Sequence, residues 1–336
     1  MTAALAFVAF PDSRNDRGQA VQAKFFSGND GDFFFWTPEA DDVVLVGPEQ
    51  RAVPLPQRPI PVHAHAIQDG NRPDDDALGA GIYEYLRRYP DCEGGYDLAG
   101  LLQNAYPHYL MDIAAQVIMI EEKDVDAPFL RRKITGLKIL ALLEARSQLY
   151  YQLGRSYFEF ATMFTELPDC RIHLLAAREY LQRALQLEAD NPATLNLLAQ
   201  IEAWFGMNAA ACRRWQQAAT LVDEPTRSAL LQRAAETQAT SSESPLIDEL
   251  EALGATLLLI GAGEFAPALE ILERLQEQGR VMAELPTPEF YYLLGHCHEK
   301  CNDPGSALVA YIQALELDPE FLPAQTGFDR LSQGES

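Results

Sequence analysis

GHCHEKCNDPGSALVAYIQALELDP, residues 295–319, places two histidines and two cysteines within six positions and then continues as an amphipathic pattern. Gly295 precedes Ala307 by twelve residues, and Tyr311, Ala314 and Pro319 follow at intervals of four, three and five. Small residues at 295, 307 and 314 let two antiparallel helices approach closely, while Leu294 and Tyr311 supply the bulk between them. The stretch therefore predicts a helical hairpin.

The same intervals recur upstream. Ala199, Ala211, Trp215 and Ala218 in LLAQIEAWFGMNAAACRRWQQAATLV repeat them with Ala in place of the first Gly. Ala177, Leu181 and Ala184 lie 34 residues before Ala211, Trp215 and Ala218, and YYQLGRSYFEF (150–160) reads as the first helix of that unit. This unit carries eleven extra residues between Gly154 and Ala177, including TELPDCRIH, so either its first helix is extended or its turn bulges. A further unit, residues 252–279, keeps Gly263 and Ala268 but has Leu275 where a small residue is usual.

A 34-residue helix-turn-helix unit with these spacings resembles the tetratricopeptide repeat. The resemblance covers roughly residues 147–222 and 246–331. It implies a mainly α fold, a solenoid of helical hairpins, preceded here by a small N-terminal β-rich segment. Such units bury their apolar faces only by stacking, so the helices before residue 147 are expected either to cap the array or to extend it as degenerate repeats.

The repeat register also answers the cysteine and histidine question. Cys297 takes a small buried site and Cys301, one turn later, an apolar one, so both thiols are expected in the core. His298 takes a commonly aromatic site, which leaves His296 to face the groove. Helical spacing puts Cys297 and Cys301 on one face and His296 on another, which does not suit a tetrahedral metal centre. No metal and no cofactor are expected.

Outside the array, residues 1–47 hold the apolar and aromatic runs ALAFVAF, AVQAKFF, DFFFWT and DVVLV, separated by turn-rich pieces such as Ser27 to Gly31. They read as a small antiparallel meander. Residues 48–73 read as a proline-rich linker or extended strap, because five prolines fall within fourteen residues and each removes a backbone donor. Residues 74–146 are helical, with Asp74 to Asp76 at a helix start. One face carries Leu78, Ile82, Leu86 and Tyr89, another Leu110, Ile113, Ala114, Val117 and Ile118. Residues 127–164 hold one proline, Pro128 at their start, and are read as two helices divided near Ser147. A lone helix and a flexible joint occupy 223–245, the joint marked by TQATSSESP. Residues 246–336 hold two repeats and a C-terminal capping helix.

Against 26 Lys and Arg stand 49 Asp and Glu, a net charge of −23 that repels phosphate backbones and anionic membrane surfaces. Nucleic acid is not expected as a partner. No apolar run approaches the roughly 20 residues that span a bilayer, MTAALAFVAFPD lacks the features of a signal peptide, and five scattered cysteines suit a reducing compartment. The expectation is a cytoplasmic protein with no membrane insertion.

Other candidate chemistry is sparse. His63 and His65 in VHAHAI fall on one face of a strand, but no alternation of strand and helix follows to build a metal-dependent hydrolase barrel. GAGEF (261–265) lacks a preceding strand and sits where an interhelical turn is expected, which does not suit phosphate. No Ser-His-Asp or Cys-His arrangement is evident.

Two readings of function follow. The resemblance implies a noncatalytic scaffold, adaptor or chaperone that holds a basic or neutral protein or peptide segment in a groove lined by the first helix of each hairpin. In the other reading residues 1–120 carry enzyme chemistry and the array recruits substrate. Groove-facing residues are expected three before and one after the close-contact position of each first helix. That rule selects Tyr151 and Arg155, Asn196 and Gln200, Tyr292 and His296, and, in the departing unit, an apolar strip of Leu253 and Leu257 with Ile260 a turn further. Such a strip is expected to be covered, either by a partner or by the N-terminal region.

Overall fold

The computed structural model describes residues 32–66, 72–121, 126–239 and 244–333. The chain divides into two compact units, Met1–Tyr85 and Leu86–Ser336. The runs ALAFVAF and AVQAKFF and the loop Ser27 to Gly31 lie outside the described residues.

In the first unit, β1 (Phe33–Trp36) pairs antiparallel with β4 (Ile60–His63), and β2 (Val43–Val46) pairs antiparallel with β3 (Arg51–Pro54). DFFFWT and DVVLV are strands, but they pair with the proline-rich stretch and not with each other. The hairpin β2–β3 is nested in sequence between the partners β1 and β4, so the pattern is not a meander. The stretch read as a linker supplies two of the four described strands. Two-stranded ladders explain the exception: every strand is an edge, and proline is tolerated where one side of the strand has no ladder bond to make. Ile60 and Val62 are fully buried. Helix α1 (Asp75–Arg88) begins where Asp74 Oδ1 accepts the Ala77 backbone N–H at 2.6 Å, a capping role for the acidic run.

The second unit is helical. Helices α2 (Gly95–Ala105), α3 (Pro107–Glu121) and α4 (Ala127–Leu143) precede the repeats. Ile113 and Val117 of α3 are buried as the spacing predicts, but Ile118 is 60% exposed and Ile120 takes the buried place. A core formed by Val117, Leu130, Ile134, Leu137, Leu153 and Phe160 joins α3 and α4 to α5 (Ser147–Thr162), so these helices extend the stack. The break at residues 144–146 falls immediately before Ser147.

The first hairpin pairs α5 with α6 (Cys170–Leu187), and the second pairs α7 (Pro192–Trp204) with α8 (Asn208–Ala219). Helix α9 (Thr226–Ala239) packs on α8 through Leu230 and Ala234. After the joint, α10 (Leu246–Gly261) pairs with α11 (Phe265–Gln278), a short α12 (Arg280–Glu284) intervenes, and α13 (Pro288–Lys300) pairs with α14 (Pro304–Leu317). Helix α15 (Leu322–Ser332) closes the end. GAGEF is the α10–α11 turn. Three helices start with a capping residue followed by proline at the first turn: Asn191 accepts from Thr194, Thr287 from Glu289 and Asp303 from Ser306. Among the described residues, no helix is long and apolar enough to cross a membrane.

The repeat register holds in the packing. Gly154, Ala177, Leu181 and Ala184 are buried, as are Ala199, Ala211, Trp215 and Ala218, and Gly295, Ala307, Tyr311 and Ala314. A Cβ on Gly295 would stand 2.8 Å from the Tyr311 ring and 3.1 Å from the Ala307 carbonyl oxygen, so the first and second helices touch there. The eleven extra residues of the first hairpin contribute a 3-10 turn, Phe164–Asp169. Leu167 in that turn is fully buried, and its carbonyl lies against Gly254 of α10, where an added Cβ would come within 2.6 Å. One continuous core therefore runs from α5 through α6, α7, α10, α11 and α13 to α14. The joint read as flexible has flanks that share this core.

Candidate functional site

The structure sorts the eight expected surface residues by what they already touch. Arg155 is exposed and its Nε donates to Glu159 Oε1 on the same helix at 2.7 Å. Asn196 is exposed too, yet its Oδ1 accepts the Trp215 indole N–H at 2.9 Å, which ties α7 to α8. Tyr151, Gln200 and Leu257 are half-buried.

Leu253 departs from expectation. It is fully buried, because the close contact of α10 falls at Gly254 and is made with the 3-10 turn, whereas the repeat spacing placed it at Thr256 and against α11. Thr256 is buried and its hydroxyl bonds back to the Leu253 carbonyl at 2.7 Å. The part of the apolar strip around Leu253 is thus covered by residues 164–169 of the chain itself. Periodicity within one helix carries no signal for a cover that comes from ninety residues away.

Tyr292 and His296 are brought together on α13. Their rings stack with centroids 6.0 Å apart, Tyr292 also stacks on Tyr311 at 6.0 Å, and it meets the Phe321 ring edge-on at 5.9 Å. Phe265, at the start of α11, meets His296 edge-on at 5.5 Å. Phe265 and Phe321 were not singled out by the sequence; both follow interhelical turns, and only the stacking of adjacent hairpins gives them a role. Burial, and after it the Lys300 charge, hold the His296 imidazole below its ordinary pKa. At neutral pH this surface therefore presents an aromatic and neutral face, suited to flat apolar and hydrogen-bonding groups.

The cysteine and histidine cluster separates in space. Cys297 is fully buried, and burial pushes its thiol up to about 12, away from the thiolate that a metal requires. His298 points to Glu273 and Asp303, at 3.9 and 3.7 Å. Cys301 corrects the expectation: it is exposed, because α13 ends at Lys300 and the backbone turns away through Asn302, whose φ is 64°. Cys297→Ala should lower stability by about 1–2 kcal/mol through loss of a buried sulfur, while Cys301→Ala should stay within about 0.5 kcal/mol of the parent. Urea unfolding of the two variants checks this, and equal losses would place both thiols in the core. In the other unit, the His63 and His65 rings stack at 5.3 Å, and His63 stacks on Phe33 at 5.2 Å. Among the described residues, no three His, Cys, Asp or Glu side chains are placed to hold a metal ion.

A family model for the tetratricopeptide repeat matches residues 288–321, which span α13, α14 and the turn after them. No curated protein matches the chain. Among solved structures, a thermophilic TPR protein of Thermus thermophilus is 18% identical, with 56% of this chain and 99% of that chain covered and a TM-score of 0.23. An APC/C hetero-tetramer is 14% identical, with 75% of this chain and 46% of that chain covered and a TM-score of 0.25. The match at 288–321 is seated on the buried Gly295, Ala307, Tyr311 and Ala314, so α13 and α14 form a tetratricopeptide-type hairpin within a stack of helical hairpins.

Proposed function

We propose that this protein is a noncatalytic scaffold, holding a protein or peptide segment against the first helices of its hairpins, α5, α7 and α13. The observation that carries the reading is the arrangement of Tyr292 and His296 beside Phe265 and Phe321: half-buried rings held together by neighbouring hairpins. Arg155, Gln200 and Tyr151 provide polar and aromatic contacts farther along the array. A basic or neutral partner fits this surface best. The net charge is −23, Arg155 is matched by Glu159, and the His296 imidazole is held neutral, so a ready cluster of cations for an acidic peptide is missing from these positions.

Selection of peptides from a random library on the full-length protein tests the reading. Binders should be enriched in Lys, Arg and aromatic residues and should weaken as salt rises. Tyr151→Ala, Arg155→Ala and Tyr292→Ala should each weaken a selected binder by about 1–3 kcal/mol. Acidic binders, or basic ones indifferent to all three substitutions, would remove these helices as the recognition surface.

A further inference from the structure

The two halves of the repeat array, residues 147–239 and 244–333, meet along a seam with a one-way arrangement of charge. Among the described residues, the side-chain donors across it come from the first half. Arg171 of α6 forks onto Glu251 of α10, Nε to Oε1 at 2.6 Å and Nη2 to Oε2 at 2.7 Å, and Nη2 also reaches Asp248 Oδ1 at 2.6 Å. Arg233 of α9 donates to Glu284 Oε2 at 2.9 Å, and the Trp204 indole N–H donates to the same oxygen at 3.0 Å. The carboxylates that accept these bonds, Asp248, Glu251 and Glu284, come from the second half. Beneath them, Leu167 and Ile201 of the first half share one core with Ile247 and Leu250 of the second, all at most 1% exposed.

We infer that this seam is a self-sufficient docking interface: the second half recognises the first through matched charges over an apolar core, and the covalent joint between them is dispensable once the chain has folded. Two features carry it. An apolar core supplies attraction without direction, whereas a bidentate guanidinium–carboxylate pair fixes orientation. Arg171 places two carboxylates from successive turns of α10 on one guanidinium, which sets both the rotation and the register of α10 against α6. The seam thus acts as a fixed corner in the array, and the spacing between the front helices and α13 is set by it.

The experiment replaces residues 240–243 of the full-length protein with a protease recognition sequence and cleaves the folded product. The two fragments should elute together, with unchanged helicity and one unfolding transition. Charge reversal by Arg171→Glu in the same background should raise the dissociation constant of the fragments roughly tenfold or more, because like charges then face each other across the seam. Adding Glu251→Arg to that variant should recover most of the loss, and it also serves as the deciding variant should R171E alone fail to fold. Separation of the parental fragments on the column, undiminished association of R171E, or failure of the double reversal to recover would each overturn the inference.

Discussion

Gly254→Ala should destabilise the protein by about 3 kcal/mol, an unusually large effect for adding one methyl group. The new Cβ would stand 2.6 Å from both the carbonyl carbon and oxygen of Leu167 and 2.7 Å from the nitrogen of Pro168. All three are backbone atoms, so no side chain can rotate away, and either the 3-10 turn or α10 must move. Leu167 is fully buried in the core shared by both halves, so that movement also opens packing elsewhere. Gly154 provides a contrast of degree: its nearest obstacles are the buried Leu181 side chain at 2.5 Å and, farther off, the Ala177 carbonyl oxygen at 3.1 Å, so the backbone is less directly opposed and the same substitution there should cost less. Gly100, inside α2 with nothing within 4 Å, should gain about 0.5–1 kcal/mol on becoming alanine. Chemical denaturation of the three variants orders them, and a Gly254→Ala protein as stable as the parent would mean that the turn does not lie on α10.

The second large effect is expected at Tyr311, which is fully buried between two glycines. Positions for a Cβ on Gly295 and on Gly327 lie 2.8 and 2.6 Å from its ring, so α13 and α15 both close onto one aromatic side chain of α14. Tyr311→Ala should cost about 3–5 kcal/mol, since flanking residues without side chains cannot fill the space. The hydroxyl donates to Glu299 Oε2 at 2.9 Å, and Arg330 holds both oxygens of the same carboxylate at 3.1 and 2.6 Å. Tyr311→Phe leaves that ion pair in place and should cost only about 1 kcal/mol. Hydrogen exchange across residues 288–332 measures both, and the alanine variant should lose protection throughout α13 to α15.

The residues that announced the hairpins are those whose reason for being small is local. Gly295, Ala307 and Ala314 face the partner helix of their own hairpin, so a fixed spacing reports them directly. The pairs Asn191-Pro192 and Asp303-Pro304 start helices for equally local reasons, a side-chain cap and a proline in the first turn, whereas Ser147 opens α5 without a cap and donates to Glu188. What stayed hidden depends on partners far along the chain. Gly254 is small because of Leu167, and Leu253 is buried for the same reason. The strands at 51–54 and 60–63 were obscured by prolines that a wider sheet would have excluded but a two-stranded ladder accepts. Spacing singled out Tyr292 and His296, whose rings stack, whereas Phe265 and Phe321 meet them only through the packing of adjacent hairpins.

Repeat proteins are commonly treated as interchangeable modules, in which one unit can be copied over another. The turn at residues 164–169 withdraws that freedom here. Aligned on Ala268 and Ala307, the α13 residue that corresponds to Gly254 is Leu293, so grafting α13 in place of α10 would drive a leucine into the Leu167 carbonyl. Shuffling, duplication or consensus replacement of the third unit would therefore have to retain a glycine at that one position or delete the turn with it, and the order of units in this chain is fixed by a contact that belongs to none of them singly.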